Sequence, residues 1–182
     1  MARLKAASAY RMVKRAYTRT SRRRALAYVK GAPNVKVVQF DMGDRTNVQN
    51  LPYELQLVSA REIQVRDNAL EAARQSAVRT LEKKGKTGWA LKIRSVPHQI
   101  LREKAVATAA GADRFSQGMA LSFGSPSGHA VQVKPGTILF SFYVEKDFIP
   151  TAREAARKAS SKMPMRCAMR LLDNKTKKEI TL

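Results

Sequence analysis

Asn68-Ala-Leu-Glu-Ala-Ala-Arg-Gln-Ser-Ala-Val-Arg-Thr-Leu-Glu-Lys-Lys-Gly85, followed by Trp89-Ala-Leu-Lys-Ile-Arg94, changes its apolar period from helical to alternating. In the first part Leu70, Ala73, Ala77, Val78 and Leu81 return every three or four residues, which puts them on one helical face. Asn68 with Glu71 has the spacing of a capping box, and Lys83-Lys84-Gly85 closes the helix. In the second part Trp89, Leu91 and Ile93 alternate with Ala90, Lys92 and Arg94, so a strand is expected with one apolar and one cationic face.

Upstream, Val35, Val37, Val38 and Phe40 read as a first strand ended by the turn-forming Asp41-Met42-Gly43-Asp44. Tyr53, Leu55 and Leu57 alternate with Glu54 and Gln56 as a half-buried strand, and Ile63 with Val65 suggests another short one. Downstream, residues 96–128 lose their periodicity and collect Pro97, Gly111, Gly118, Gly124, Pro126 and Gly128. Loops of that length are uncommon unless functional or disordered, which makes this segment a natural site of action. Val131 and Val133, the pair Pro135-Gly136 and the apolar run from Ile138 to Val144 read as a hairpin. Thr151 with Glu154 is a second capping-box spacing, leading into Ala152, Ala155, Ala156, Ala159 and Met163 until Pro164. Met165, Cys167, Met169 and Leu171 alternate with Arg166, Ala168 and Arg170 as the last strand, and a polar tail over 173–182 is expected to fray. The expectation is a single mixed α+β domain over 35–172, a sheet with two main helices, carrying a basic extension over 1–34 and a long central loop over about 96–128.

The 182 residues hold 35 Lys and Arg against 14 Asp and Glu, a formal charge of +21. Such a surplus repels itself unless a polyanion neutralises it, and nucleic acid is the commonest such partner. A membrane surface is the rival polyanion, but the sequence has no lipidation pattern and no apolar run of spanning length, so no membrane partner and a cytosolic location are expected. Residues 1–34 contain no carboxylate. Arg11, Lys14, Arg15, Arg19 and the run Arg22, Arg23 and Arg24 are interleaved there with Tyr10, Tyr17 and Tyr28. Cations pair with phosphates while aromatic rings stack on unpaired bases, a mixture suited to irregular RNA.

Enzyme chemistry finds little support. Gly85-Lys86-Thr87 resembles the end of a P-loop but lacks the earlier glycine, which would fall at Thr80, and it runs from helix to strand. His98 and His129 stand apart from any ligand cluster, so neither a metal nor another cofactor is expected. Cys167, the one cysteine, lies on an apolar strand face and reads as a buried thiol. Glu71 with Arg74, Glu82 with Lys86 and Glu154 with Lys158 have the spacing of helical ion pairs, and no two acids stand out as a general acid and base. A non-enzymatic binding protein is expected; the rival is a free-standing nucleic-acid chaperone or regulator.

Lys92-Ile-Arg-Ser-Val-Pro-His-Gln-Ile-Leu-Arg-Glu-Lys104 and Gly111-Ala-Asp-Arg-Phe-Ser-Gln-Gly-Met119 resemble the universal large-subunit ribosomal protein L-sixteen family, in its archaeal and eukaryotic L-ten-e branch. Ala16-Tyr17-Thr18-Arg19 and Phe123-Gly124 extend the resemblance to nearly the whole chain. It implies an α/β-hammerhead type of domain set in large-subunit rRNA, close to 5S rRNA and to neighbouring ribosomal proteins, without a homo-oligomer. It also implies that the central loop points toward the peptidyl-transferase centre and helps position aminoacyl-tRNA. The rRNA-binding residues so implied include Lys92, Arg94, His98, Arg102 and Lys104, and the loop residues are Gly111, Asp113, Arg114, Gln117 and Met119. Phe115 and Ser116 fall at variable positions of that pattern. Ala120 stands where an arginine often follows the Gly-Met pair, which removes one expected phosphate contact.

Overall fold

A computed structural model of the chain describes residues 8, 11–13, 29, 31–103 and 125–180. Its described strands are β1 (Asp41–Gly43), β2 (Tyr53–Ser59), β3 (Ile63–Arg66), β4 (Trp89–Ile93), β5 (Gln99–Glu103), β6 (Ser125–Val133), β7 (Ile138–Val144) and β8 (Cys167–Asp173). The helices are α1 (Asp67–Glu82) and α2 (Ile149–Ser161), the latter preceded by a 3-10 turn over Lys146–Phe148. This is an α+β fold with two main helices. The strands divide between a five-stranded sheet, β1-β4-β7-β2-β8, and a three-stranded one, β3-β6-β5, and the described pairings are antiparallel.

The larger sheet explains why the alternating segments are alternating. Leu55, Leu57, Leu91, Ile93, Phe140, Phe142 and Val144 point to one face, where they form a single core with Leu70, Ala73, Ala77 and Leu81 of α1 and Ala152, Ala155, Ala156 and Ala159 of α2. Alanine fills most of the α2 stripe and shares the α1 stripe with Leu70 and Leu81, and the two helices pack against each other. Phe140 and Phe142 are fully buried at the centre, each worth about 1.5–3 kcal/mol of apolar burial.

Five expectations change in the structure. Val35–Phe40 forms no strand; the supposed turn Asp41–Gly43 is the strand, paired Met42 to Leu91. The cause is Gly43, at φ 79: a Cβ there would lie 2.4 Å from the Trp89 carbonyl oxygen, so only glycine lets this strand approach β4. Pro135-Gly136 does not join a hairpin, because β6 pairs with β3 and β5 while β7 pairs with β2 and β4. With Gly136 at φ 85 after proline and Thr137 N–H donating to the Lys134 carbonyl at 3.1 Å, the turn has type II character. That type splays its flanks, and so it passes the chain from one sheet to the other.

Neither capping box forms. Helix α1 starts after Arg66, and Glu71 turns to Arg74 instead of back to the N-terminus. Helix α2 starts at Ile149 with Pro150 in its first turn, and Glu154 pairs with Lys158 at 2.6 Å. Part of the expected loop over 96–128 is strand: Gln99–Glu103 and Ser125–Val133 pair with each other in the small sheet. The tail is tied down as far as Ile180. The Asp173 amide donates to the Lys178 carbonyl at 3.0 Å, the Ile180 amide donates to the Leu171 carbonyl at 2.9 Å, and Lys177 adopts φ 55.

Candidate nucleic-acid interface

The outer face of the five-stranded sheet collects what the core rejects. Through the registers, Asp41 stands beside Lys92, Lys92 beside Ser141, Ser141 beside Gln56 and Gln56 beside Arg170, a polar row across all five strands. In the next row Ala90, Tyr143, Glu54 and Leu172 are neighbours. Ala90 and Tyr143 form a small apolar patch with Leu51, under the loop that leads to β2.

Glu54 is the unexpected member. Alternation predicts an outward, solvated residue, yet its side chain is only 1% exposed. Lys177, carried back by the C-terminal turn, covers it: its Nζ donates to Glu54 Oε2 at 2.7 Å and to Asn174 Oδ1 at 2.8 Å. Gln56 Nε2 donates to Glu54 Oε1 at 2.9 Å, and Arg94 Nη2 lies 3.9 Å from the same oxygen. Burial pushes the carboxyl's pKa up, but hydrogen bonds from Lys177, Gln56 and Ser141 and the Lys177 charge outweigh it and hold the group below its ordinary value. The buried carboxylate is thus ionised and locally compensated.

Arg94 is held in place by the same face. Its Nε donates to Ser141 Oγ at 3.2 Å and its Nη2 to Tyr143 Oη at 2.9 Å, while the side chain remains 41% exposed. A guanidinium fixed along one edge and open along the other is prepared for a phosphate, because its fork need not be ordered on binding. Lys92 rests loosely on Asp41 at 3.5 Å, with both side chains about half exposed, and Arg170 is exposed. Four cations, Lys92, Arg94, Arg170 and Lys177, therefore cover a face with two carboxylates, one of them buried beneath.

The other anticipated contacts do not join this group. His98 is exposed beyond the end of β4, with Nδ1 3.2 Å from the Val96 carbonyl oxygen. Arg102 lies on β5, at one edge of the small sheet, and its enclosed Nε has no hydrogen-bond partner among the described residues. Arg11 lies at the opposite edge, where its carbonyl accepts the Gln64 N–H of β3 at 3.2 Å. Lys14, Arg15, Tyr17, Arg19, Arg22, Arg23, Arg24, Lys104, Gly111, Asp113, Arg114, Gln117 and Met119 lie outside the described residues. Sequence reasoning reached Lys92 and Arg94 but did not single out Arg170 or Lys177. The alternation of β8 contains a signal for Arg170; the fold-back of Lys177 has none in its neighbourhood.

Catalytic and metal chemistry gain nothing from the geometry. Among the described residues no cluster of His, Cys, Asp and Glu has the arrangement of a metal site. Cys167 is half-buried, not fully so, and burial pushes its thiol up, outweighing a hydrogen bond with Ser160, so it stays protonated at neutral pH. Among the described residues no helix is long and apolar enough to cross a membrane.

The sequence profile of the family described as ribosomal protein L16p/L10e matches residues 13–170. Large ribosomal subunit protein uL16 of Archaeoglobus fulgidus is 45% identical over 161 residues, covering 88% of each chain. The uL16 protein of Methanocella arvoryzae is 45% identical over 150 residues, covering 82% of this chain and 83% of its own. That of Halobacterium salinarum is 42% identical over 166 residues, covering 90% of this chain and 91% of its own. With a profile match across both sheets and both helices, and such identity to archaeal proteins of the large subunit, the chain belongs to the ribosomal protein L16p/L10e family.

Proposed function

We propose that this chain, a structural and non-enzymatic constituent of the large ribosomal subunit in the cytoplasm, binds large-subunit rRNA through the open face of its five-stranded sheet together with its basic arm. The observation that carries the reading is the arrangement of Arg94 and Lys177. Lys177 is anchored by Glu54 and Arg94 by Ser141 and Tyr143 with Glu54 3.9 Å away, and both keep cationic groups exposed to solvent above that buried carboxylate. Lys92 and Arg170 extend the cationic face along the polar row. Contacts of this kind position a protein on RNA without reading sequence, as a scaffold component requires.

The arm over 1–34 adds acid-free charge with interleaved tyrosines, and the segment over 96–128, carrying Arg102, Lys104, Gly111, Asp113, Arg114, Gln117 and Met119, helps position aminoacyl-tRNA near the peptidyl-transferase centre. 5S rRNA and neighbouring large-subunit proteins are the adjacent partners. The support for these assignments is the family's motif residues and the distribution of charge. The test is sedimentation of cell extract through a high-salt sucrose cushion with detection of this chain. Recovery with the large subunit is expected. Recovery only in free fractions would overturn the proposal in favour of a free-standing RNA chaperone.

A further inference from the structure

Where β3 runs into α1, a cleft of about 410 Å³ opens on the side of the molecule formed by the small sheet and the two helices. Three separate parts of the chain contribute a cation to it: Arg11 from the arm, Arg66 from the end of β3 and Lys162 from the connection after α2. No carboxylate is among the described residues that line it. Arg11 is brought there by the β3 edge, since its carbonyl accepts the Gln64 amide.

Charge alone would describe a surface that any phosphate could touch. This cleft also has apolar walls, Ala69 and Ala72 on α1 facing Met163 and Pro164 from the connection to β8. Asn68 forms part of the wall. Apolar walls beside a group of cations are the complement of a single nucleotide: a flat base and one phosphate. The volume lies in the range of pockets that enclose one small organic group.

We propose that this cleft receives one unstacked nucleotide of large-subunit rRNA, its phosphate held by Arg11, Arg66 and Lys162 and its base lodged between the Ala69–Ala72 face of α1 and Met163–Pro164. The inference rests on the rRNA-binding reading above and deepens it by giving the small-sheet side its own contact, remote from Lys92 and Arg94. An acidic tail of a neighbouring protein would satisfy the cations but would have no use for the apolar walls.

The test uses the full chain and the cognate large-subunit rRNA transcribed in full. Filter binding across salt concentrations and 2′-hydroxyl acylation mapping are measured for wild type, Lys162→Ala and Ala72→Phe, with thermal melts confirming that both variants fold. Lys162→Ala should weaken binding about tenfold and lower the salt slope by about one. Ala72→Phe fills the cleft without touching a charge; it should weaken binding about tenfold at unchanged slope and make one protected nucleotide reactive. If wild type fails to bind, the rRNA-binding reading falls and this inference with it. If wild type binds and Ala72→Phe binds equally well with an unchanged reactivity map, the nucleotide pocket alone is overturned, whether Lys162 then proves a plain surface contact or a site for an acidic protein tail.

Discussion

Replacing Lys177 with Met leaves a carboxylate inside the sheet face without its main partner, and the size of the effect can be worked from the contacts. A hydrogen bond to a charged group contributes about 1.5–3 kcal/mol, and stripping the partner from a fully buried charge costs about 3–5 kcal/mol. Lys177 is 55% exposed, so water reaches the site, and Arg94, already 3.9 Å from Glu54, takes over part of the compensation. Those two facts bring the expected loss at neutral pH down to about 1–2 kcal/mol. The pH dependence follows from the depressed carboxyl of Glu54. A folded-state pKa below the unfolded one gives stability that is complete above the unfolded value, about 4.3, and drains away as pH falls through the folded value. The gap between wild type and Lys177→Met should therefore be full at pH 7 and shrink at pH 3. Urea titrations followed by circular dichroism at the two pH values measure it. A double-mutant cycle with Glu54→Gln should return a coupling of about 1 kcal/mol. An equal loss at both pH values, or strictly additive substitutions, would refute the assignment of Lys177 as the cover of a buried charge.

Gly43→Ala should cost about 2–4 kcal/mol, because the residue combines φ 79 with an approach of 2.4 Å between a built Cβ and the Trp89 carbonyl; an unchanged thermal midpoint would contradict the close packing of β1 on β4. Arg94→Ala with Arg170→Ala should reduce rRNA affinity at low salt and lower the slope of log affinity against log salt by about two, whereas an unchanged slope would mean that the sheet face meets no phosphate. Removing residues 1–30 should flatten the slope further and keep the fold, at a loss of about 2–4 kcal/mol as the buried Val29 is removed and Gln64 exchanges the Arg11 carbonyl for water; complete unfolding would show the arm to be indispensable to the core.

The parts of the fold that were legible are those whose signal is local. Leu70, Ala73, Ala77 and Leu81 define α1 by their period, and Trp89, Leu91 and Ile93 define β4 together with the opposite face on which Lys92 and Arg94 stand. What escaped depends on residues distant in sequence. Nothing in Pro135-Gly136 itself says which sheet β7 will join; that is decided by β2 and β4 on its two sides. Asp41–Gly43 has turn composition, and only the proximity of Trp89 makes Gly43 a strand residue. Glu54 has the alternation of a solvated position until a turn more than a hundred residues later closes over it. The site divides in the same way: Lys92 and Arg94 follow from alternation, Lys177 from the tertiary fold alone.

The placement of β8 against β2, Tyr53 opposite Asp173, has a consequence for how the molecule is made. During synthesis β2 emerges long before its outer neighbour, and at about 5–20 residues per second several seconds pass with the sheet lacking that edge and Glu54 uncovered. Pairings of such long sequence separation also form slowly, since the intervening chain must close a large loop first. Until the last strand docks, β2 therefore keeps an unpaired edge and the carboxylate that Lys177 will cover stays in water.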